Sequence, residues 1–129
     1  MKVIGERILI DSSAWLSYFL AENELSKKFI EEGNHVLMIS ALSIFEIKRK
    51  MSMKNVKQLK IEEFLKFVKT RSLLIDVNEK ICNNAVDLSL KHNLHTMDSL
   101  IYCSAILNKA TLISGDAHFS GLEHVFILK

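Results

Sequence analysis

A length of 129 residues suits one domain, residues 1–129, able to bury roughly two-thirds of its unfolded surface. An apolar share of 49%, four glycines and no proline exclude a disordered, collagenous or linker-rich chain. The net charge of +2 excludes a uniformly charged polyion, and no apolar run reaches the roughly 18 residues a membrane helix needs.

In chain order, Met-Lys-Val-Ile-Gly-Glu-Arg lacks the apolar centre of a signal peptide, which points to a cytoplasmic protein. Ile8-Leu9-Ile10 then reads as a strand buried on both faces, running straight into Asp11. A helix from about Ser13 to Leu20 follows, with Ser12 or Ser13 as its N-cap. A short helix covers about Glu24–Glu32 and ends at the capping signal Gly33-Asn34. The second strand is Val36–Ile39, after which Ser40 opens a helix through Glu46 to about Lys50. Another helix spans about Ile61–Thr70, where Phe64, Leu65, Phe67 and Val68 form an apolar stripe. Strand Leu73–Ile75 precedes a helix from about Asn78 to Lys91, and the next helix starts near Thr96 and runs to Asn108. Strands Thr111–Ile113 and Val125–Leu128 close the chain. Cys82 and Cys103 stand apart on helices without metal-type spacing, and read as reduced, buried thiols.

Strands alternating with helices predict a three-layer α/β/α sandwich around a mostly parallel central sheet of about five strands. Right-handed crossovers place every strand's carboxyl end on one edge, where open parallel sheets bind ligands. Topology therefore brings Asp11, Glu46 and Asp116 to that edge. Asp98 joins them if its helix begins near Thr96.

Each acid alone has a plain explanation. Asp11 and Asp116 suit turns, Glu46 suits an exposed helix, and Asp98 suits the dipole of a first helical turn. The conjunction says more. Four carboxylates at one edge raise one another's pKa unless a cation separates them. Oxygen donors without a nearby Cys or His cluster favour Mg²⁺ or Mn²⁺. Such an ion activates water and stabilises charge on a phosphoryl transition state, which suits phosphodiester hydrolysis. The five histidines are scattered, and His92-x-x-His95 lacks further partners for zinc. No glycine-rich phosphate loop or Gly-x-Ser-x-Gly elbow occurs.

Two other acidic folds fit less well. A response-regulator receiver wants an acidic pair after the first strand, where this chain has Asp11-Ser12, and a lysine after the last, where only Lys129 stands. Asp76, its candidate phosphoacceptor, is better read as a residue near a helix N-cap. A haloacid-dehalogenase-type phosphatase wants Asp-x-Asp, and Ser13 breaks that pattern. The charge is also uneven: residues 46–71 carry 9 basic and 3 acidic side chains, a net of +6, between two segments of net −2. Lys48, Arg49, Lys50, Lys54 and Lys57 in that block suit either a solvated helix face or a grip on phosphates.

Four segments carry a resemblance: Ile-Leu-Ile-Asp11-Ser-Ser-Ala, Ile-Ser40-Ala-Leu-Ser-Ile-Phe-Glu46-Ile, Thr-Met-Asp98-Ser-Leu-Ile and Leu-Ile-Ser114-Gly-Asp116-Ala-His-Phe119. In this order and spacing the chain resembles a PIN-domain ribonuclease, especially the VapC-like toxins of VapBC toxin–antitoxin pairs. The resemblance implies a metal-dependent endoribonuclease that cleaves single-stranded or structured RNA by metal-activated water. It implies Asp11, Glu46, Asp98 and Asp116 as Mg²⁺ or Mn²⁺ ligands, with Ser13 and Ser114 supporting them by hydrogen bonds. It also implies a homodimer and inhibition by a small antitoxin protein; the lack of a long apolar run speaks against a membrane partner. Lys48, Arg49 and Lys50 become the candidate RNA-binding residues. Ser114-Gly115 departs from the commoner Thr-Asn, and Ser99 from a usual Ala, with every carboxylate retained. The alternative is a catalytically weak PIN-fold module that binds RNA or dimerises without a toxin role.

Overall fold

The computed structural model describes residues 7–32 and 34–129. Residues 1–6 and Gly33, where the sequence suggested a helix-ending cap, lie outside them. Five strands, β1 Arg7–Ile10, β2 Val36–Ser40, β3 Leu73–Ile75, β4 Thr111–Ser114 and β5 Val125–Ile127, form one sheet. Among the described residues six α-helices join them: α1 Ser12–Phe19, α2 Glu24–Glu31, α3 Ala41–Met53, α4 Gln58–Arg71, α5 Glu79–His92 and α6 Thr96–Leu107. A 3₁₀ turn covers Ala117–Phe119. Sheet order is β3-β2-β1-β4-β5 and every pairing is parallel, where the sequence allowed a mixed sheet.

The order explains why β1 reads as a continuous apolar run. β1 is the middle strand, and Ile8, Leu9 and Ile10 are fully buried. On one face Ile8 and Ile10 pack with Trp15 of α1, Ile47 and Met51 of α3, and Ile61 and Val68 of α4. On the other, Leu9 packs with Met38, Leu112 and with Ile101, Tyr102 and Ala105 of α6. The period-2 alternation of a strand assigns neighbouring residues to opposite layers. Edge position has the reverse effect on β3, whose Leu73 and Leu74 are solvent-exposed. Helix α5 packs on α6 through Ile81 and Ala85 against Cys103. Cys103 is buried, but Cys82 is exposed, because it lies off that apolar stripe.

The chain moves outward from β1 through β2 to β3, then returns by α5 and α6 to β4 on the other side of β1. The reversal makes the β1–β4 gap the topological switch point, where the connections diverge and leave a crevice beyond the carboxyl ends. Helix α3 begins at Ser40, whose hydroxyl accepts from Leu42 N at 3.2 Å, and it runs three residues beyond the predicted Lys50.

Trp15 is the largest fully buried side chain. Trp15→Ala is expected to cost about 3–5 kcal/mol, whereas Trp15→Phe keeps most of the filled volume and costs much less. Urea unfolding of the two variants beside the wild type checks the ranking; equal costs would show that volume at this position does not govern stability.

Candidate functional site

The backbone amide of Asp11 donates to Ile113 O at 2.9 Å, so sheet pairing carries this residue to the lip of the switch point. Its extended backbone turns the chain into α1, and its own Oδ1 accepts from Ser12 N at 2.7 Å. Asp11 is therefore the N-cap expected of Ser12 or Ser13. The residue at the strand–helix corner takes that role because its carboxylate already faces the free amides. The displaced hydroxyls serve the carboxylates instead.

Asp11 Oδ2 accepts from Ser114 Oγ at 2.7 Å and Ser13 Oγ at 3.1 Å. Backbone amides fix the two hydroxyls in turn: Gly115 N donates to Ser13 Oγ at 2.9 Å, and Asp116 N donates to Ser114 Oγ at 3.0 Å. Ser12 Oγ donates to Glu46 Oε1 at 3.2 Å, linking α1 to α3. Asp98 stands in the first turn of α6, as the sequence required for convergence. Asp98 Oδ2 lies 3.4 Å, and Asp116 Oδ1 3.3 Å, from His118 Nδ1. One donor atom from each of these three residues falls within 4.8 Å of the others.

The acids thus form two linked groups. Asp11 and Glu46 share the Ser12 corner; Asp98 and Asp116 share His118. Ser114 bridges the groups, holding Asp11 with its hydroxyl hydrogen and the Asp116 amide with its oxygen.

Electrostatics couple them further. Burial pushes the Asp11 carboxyl above its ordinary range, against the lowering effect of hydrogen bonds from Ser114, Ser12 and Ser13, and the Asp116 charge adds to the rise. Burial raises Glu46 too, with Asp11 and Asp98 adding repulsion while Ser12 and Lys50 oppose it. Asp98 is raised by burial and by Asp116, with His118 and His95 pulling it down. Among the described residues no Lys or Arg forms an ion pair with any of the four. The donor set, crowded carboxylates short of a counter-charge, therefore fits a hard divalent cation.

His118 is the residue sequence reasoning missed. Read as one of five scattered histidines, it meets the acids because the 3₁₀ turn folds its ring back over Asp116. Its place two residues after the last acid was the available signal. Lys48, Arg49 and Lys50 are exposed on α3, the helix that buries Ile47 and Met51. A groove of about 600 Å³ runs from Ser13 and Gly115 past Leu16 and Met51 to Lys50 and Lys54.

The PIN domain family model matches residues 8–125. The chain belongs to the PIN domain family. It is a family of nucleases that use divalent metal ions. Solved structures with the same PIN fold include a toxin–antitoxin complex from Klebsiella pneumoniae, at 19% identity and TM-score 0.76, covering 92% of this chain and 95% of that one. VapBC2 from Rickettsia felis, bound to a DNA fragment from its promoter, gives 17% identity and TM-score 0.79 over 95% and 99% of the two chains. Mycobacterium tuberculosis VapC20, a sarcin–ricin-loop-cleaving toxin, gives 14% identity and TM-score 0.73 with the same coverage. No curated protein sequence matches. None of the described helices is long and apolar enough to cross a membrane.

Raised carboxyls bind protons more tightly in the folded protein than in the unfolded chain. Stability is therefore fullest below the ordinary carboxylate range and falls as pH climbs through the raised folded values. In chelator at neutral pH, Asp98→Asn should relieve this penalty and raise Tm, by roughly 4 °C for each kcal/mol removed. Scanning calorimetry of variant and wild type at acid and neutral pH tests it: a Tm for Asp98→Asn below that of the wild type at neutral pH would contradict the repulsion argument.

Proposed function

We propose that this PIN-domain protein is a Mg²⁺- or Mn²⁺-dependent endoribonuclease that hydrolyses single-stranded or looped RNA, and that it acts as the toxin of a toxin–antitoxin pair. The observation that carries the reading is the Asp11 carboxylate. It is 5% exposed, sits at the β1–β4 switch point, and accepts from the Ser13 and Ser114 hydroxyls and the Ser12 amide, which tie it to the loop after β4 and, through the Ser12 hydroxyl, to Glu46. A purely structural aspartate would satisfy its cap and need neither the hydroxyl network nor three further acids.

In this reading Asp11 and Asp98 hold the principal ion, and Asp116 and Glu46 complete the site or hold a second ion and its waters. A bound ion of this class activates water and neutralises charge on the phosphoryl group. The chain's residues supply the positioning. Ser12 N, Ser13 and Ser114 aim both oxygens of Asp11, and burial keeps competing solvent low around it. Ser12 holds Glu46 toward the same crevice. Water adds to phosphorus, the bond to the 3′ oxygen breaks, and that oxygen leaves as a hydroxyl while the 5′ side keeps the phosphate.

The exposed Lys48-Arg49-Lys50 face of α3 binds RNA phosphates and delivers the strand to the groove beginning at Ser13 and Gly115. Such contacts add affinity without sequence information. The toxin–antitoxin character of the structural neighbours supports a small antitoxin as partner, and the homodimer is carried over from the family resemblance alone.

Asp11→Asn should reduce Mn²⁺-dependent cleavage of a single-stranded RNA by at least about 100-fold, the scale seen when a preorganised electrostatic group is lost. Circular dichroism of that variant should match the wild type. Undiminished cleavage would refute the metal-site assignment. Replacing Lys48, Arg49 and Lys50 together by alanine should flatten the log–log salt dependence of RNA binding by about 0.7 per lost phosphate contact. An unaltered slope would remove this face from the RNA path.

A further inference from the structure

His118 stands among the acids without a role in the reading above. Its position is fixed at two points. Asp116 Oδ1 accepts from its backbone amide at 2.9 Å, and the next residue, Phe119, is buried in the core. The imidazole is 63% exposed, yet its Nδ1 faces inward, 3.4 Å from Asp98 Oδ2 and 3.3 Å from Asp116 Oδ1. The His95 ring crosses it edge-on at a centroid distance of 5.8 Å.

Two roles fit a nitrogen in that position. As a counter-ion, His118 would neutralise the two acids and give way to an arriving cation. As a ligand, it would contribute Nδ1 to the coordination shell beside them. The separations of 3.3–3.4 Å suit an ion pair, and they suit the second role as well. Adjacent donors of an octahedral ion with bonds of about 2.1 Å stand about 3 Å apart, so the two spacings from His118 need little closure, and all three donors already lie within 4.8 Å of one another. Asp98, Asp116 and His118 also come from different parts of the fold, α6 and the loop after β4. Convergence of three donors needs that tertiary arrangement.

We propose that His118 is a metal ligand through Nδ1, sharing one ion with Asp98 and Asp116, and that its nitrogen makes this end of the site prefer Mn²⁺ to Mg²⁺. The proposal rests on the metal-dependent reading and extends it. Imidazole suits first-row transition ions, whereas carboxylate and water suit Mg²⁺, and affinities rise from Mn²⁺ onward along the transition series. An all-carboxylate site has no comparable means of separating the two ions.

The test is calorimetric titration of the metal-free protein with Mn²⁺ and, separately, with Mg²⁺, at about pH 8, above the ordinary imidazole range. Wild type, His118→Ala and Asp98→Asn are compared. A ligand predicts that His118→Ala weakens Mn²⁺ binding by at least about tenfold, or 1.4 kcal/mol, and Mg²⁺ binding by no more than about twofold. Pulsed electron paramagnetic resonance should show nitrogen coupling to Mn²⁺ in the wild type and none in His118→Ala. A counter-ion carries no charge at this pH, so its removal leaves both affinities unchanged. Tighter binding, unchanged binding, equal loss of both ions, or no nitrogen coupling in the wild type would overturn the proposal. Asp98→Asn separates this failure from a deeper one. If it abolishes Mn²⁺ binding while His118→Ala has no effect, only the ligand role of His118 falls. If neither variant changes binding, the carboxylate site falls with it.

Discussion

The placement of one buried carboxylate governs the rest of this architecture. Asp11 follows the central strand directly, at the point where the chain's connections diverge to either side of the sheet. A carboxylate taken from water needs hydrogen bonds to remain tolerable there. Ser12 N, Ser13 Oγ and Ser114 Oγ supply them. Two of the three come from the segment just after Asp11, and the third arrives from β4 across the sheet. Meeting the needs of Asp11 therefore fixes how α1 leaves β1 and how the loop beyond β4 lies against it.

That satisfaction is incomplete by design of the charge pattern. Hydrogen bonds lower the Asp11 pKa, but burial and the Asp116 charge more than offset them. Glu46 and Asp98 are raised by the same combination of burial and neighbouring acids. The core on either side of the sheet is apolar and well filled, so repulsion is concentrated at one end of the molecule. A fold that holds several acids close against their mutual repulsion concentrates unneutralised negative charge at one end, at some cost to its own stability.

Helix α3 joins this acidic end to the basic segment. One side of the helix, Ser43, Ile47 and Met51, is buried, and Glu46 turns toward Ser12 at the crevice. Lys48, Arg49 and Lys50 remain in solvent on the same helix. Positive charge thus lies within one or two turns of Glu46, and Lys50 is the basic residue that partly offsets the rise of its carboxyl. The arrangement sets positive charge at the rim without neutralising the acids inside.

The sequence by itself determined the layers and the edge. The unbroken Ile8-Leu9-Ile10 run, the alternation of strands and helices and the acid after each relevant strand follow from local periodicity and the handedness of crossovers, which act over short stretches of chain. Edge effects were not legible: nothing local tells Leu73 and Leu74 that their strand ends the sheet, or Cys82 that it faces outward. Nor was the cap of α1, because Asp11 outcompetes its two serines only where the strand turns the corner. The resemblance put Ser114 among the hydroxyls that support the acids, but only tertiary structure decided that its partner is Asp11, 103 residues away, and that His118 folds back onto Asp98. Such contacts depend on where distant segments meet, which strand order and loop path fix and local composition does not encode.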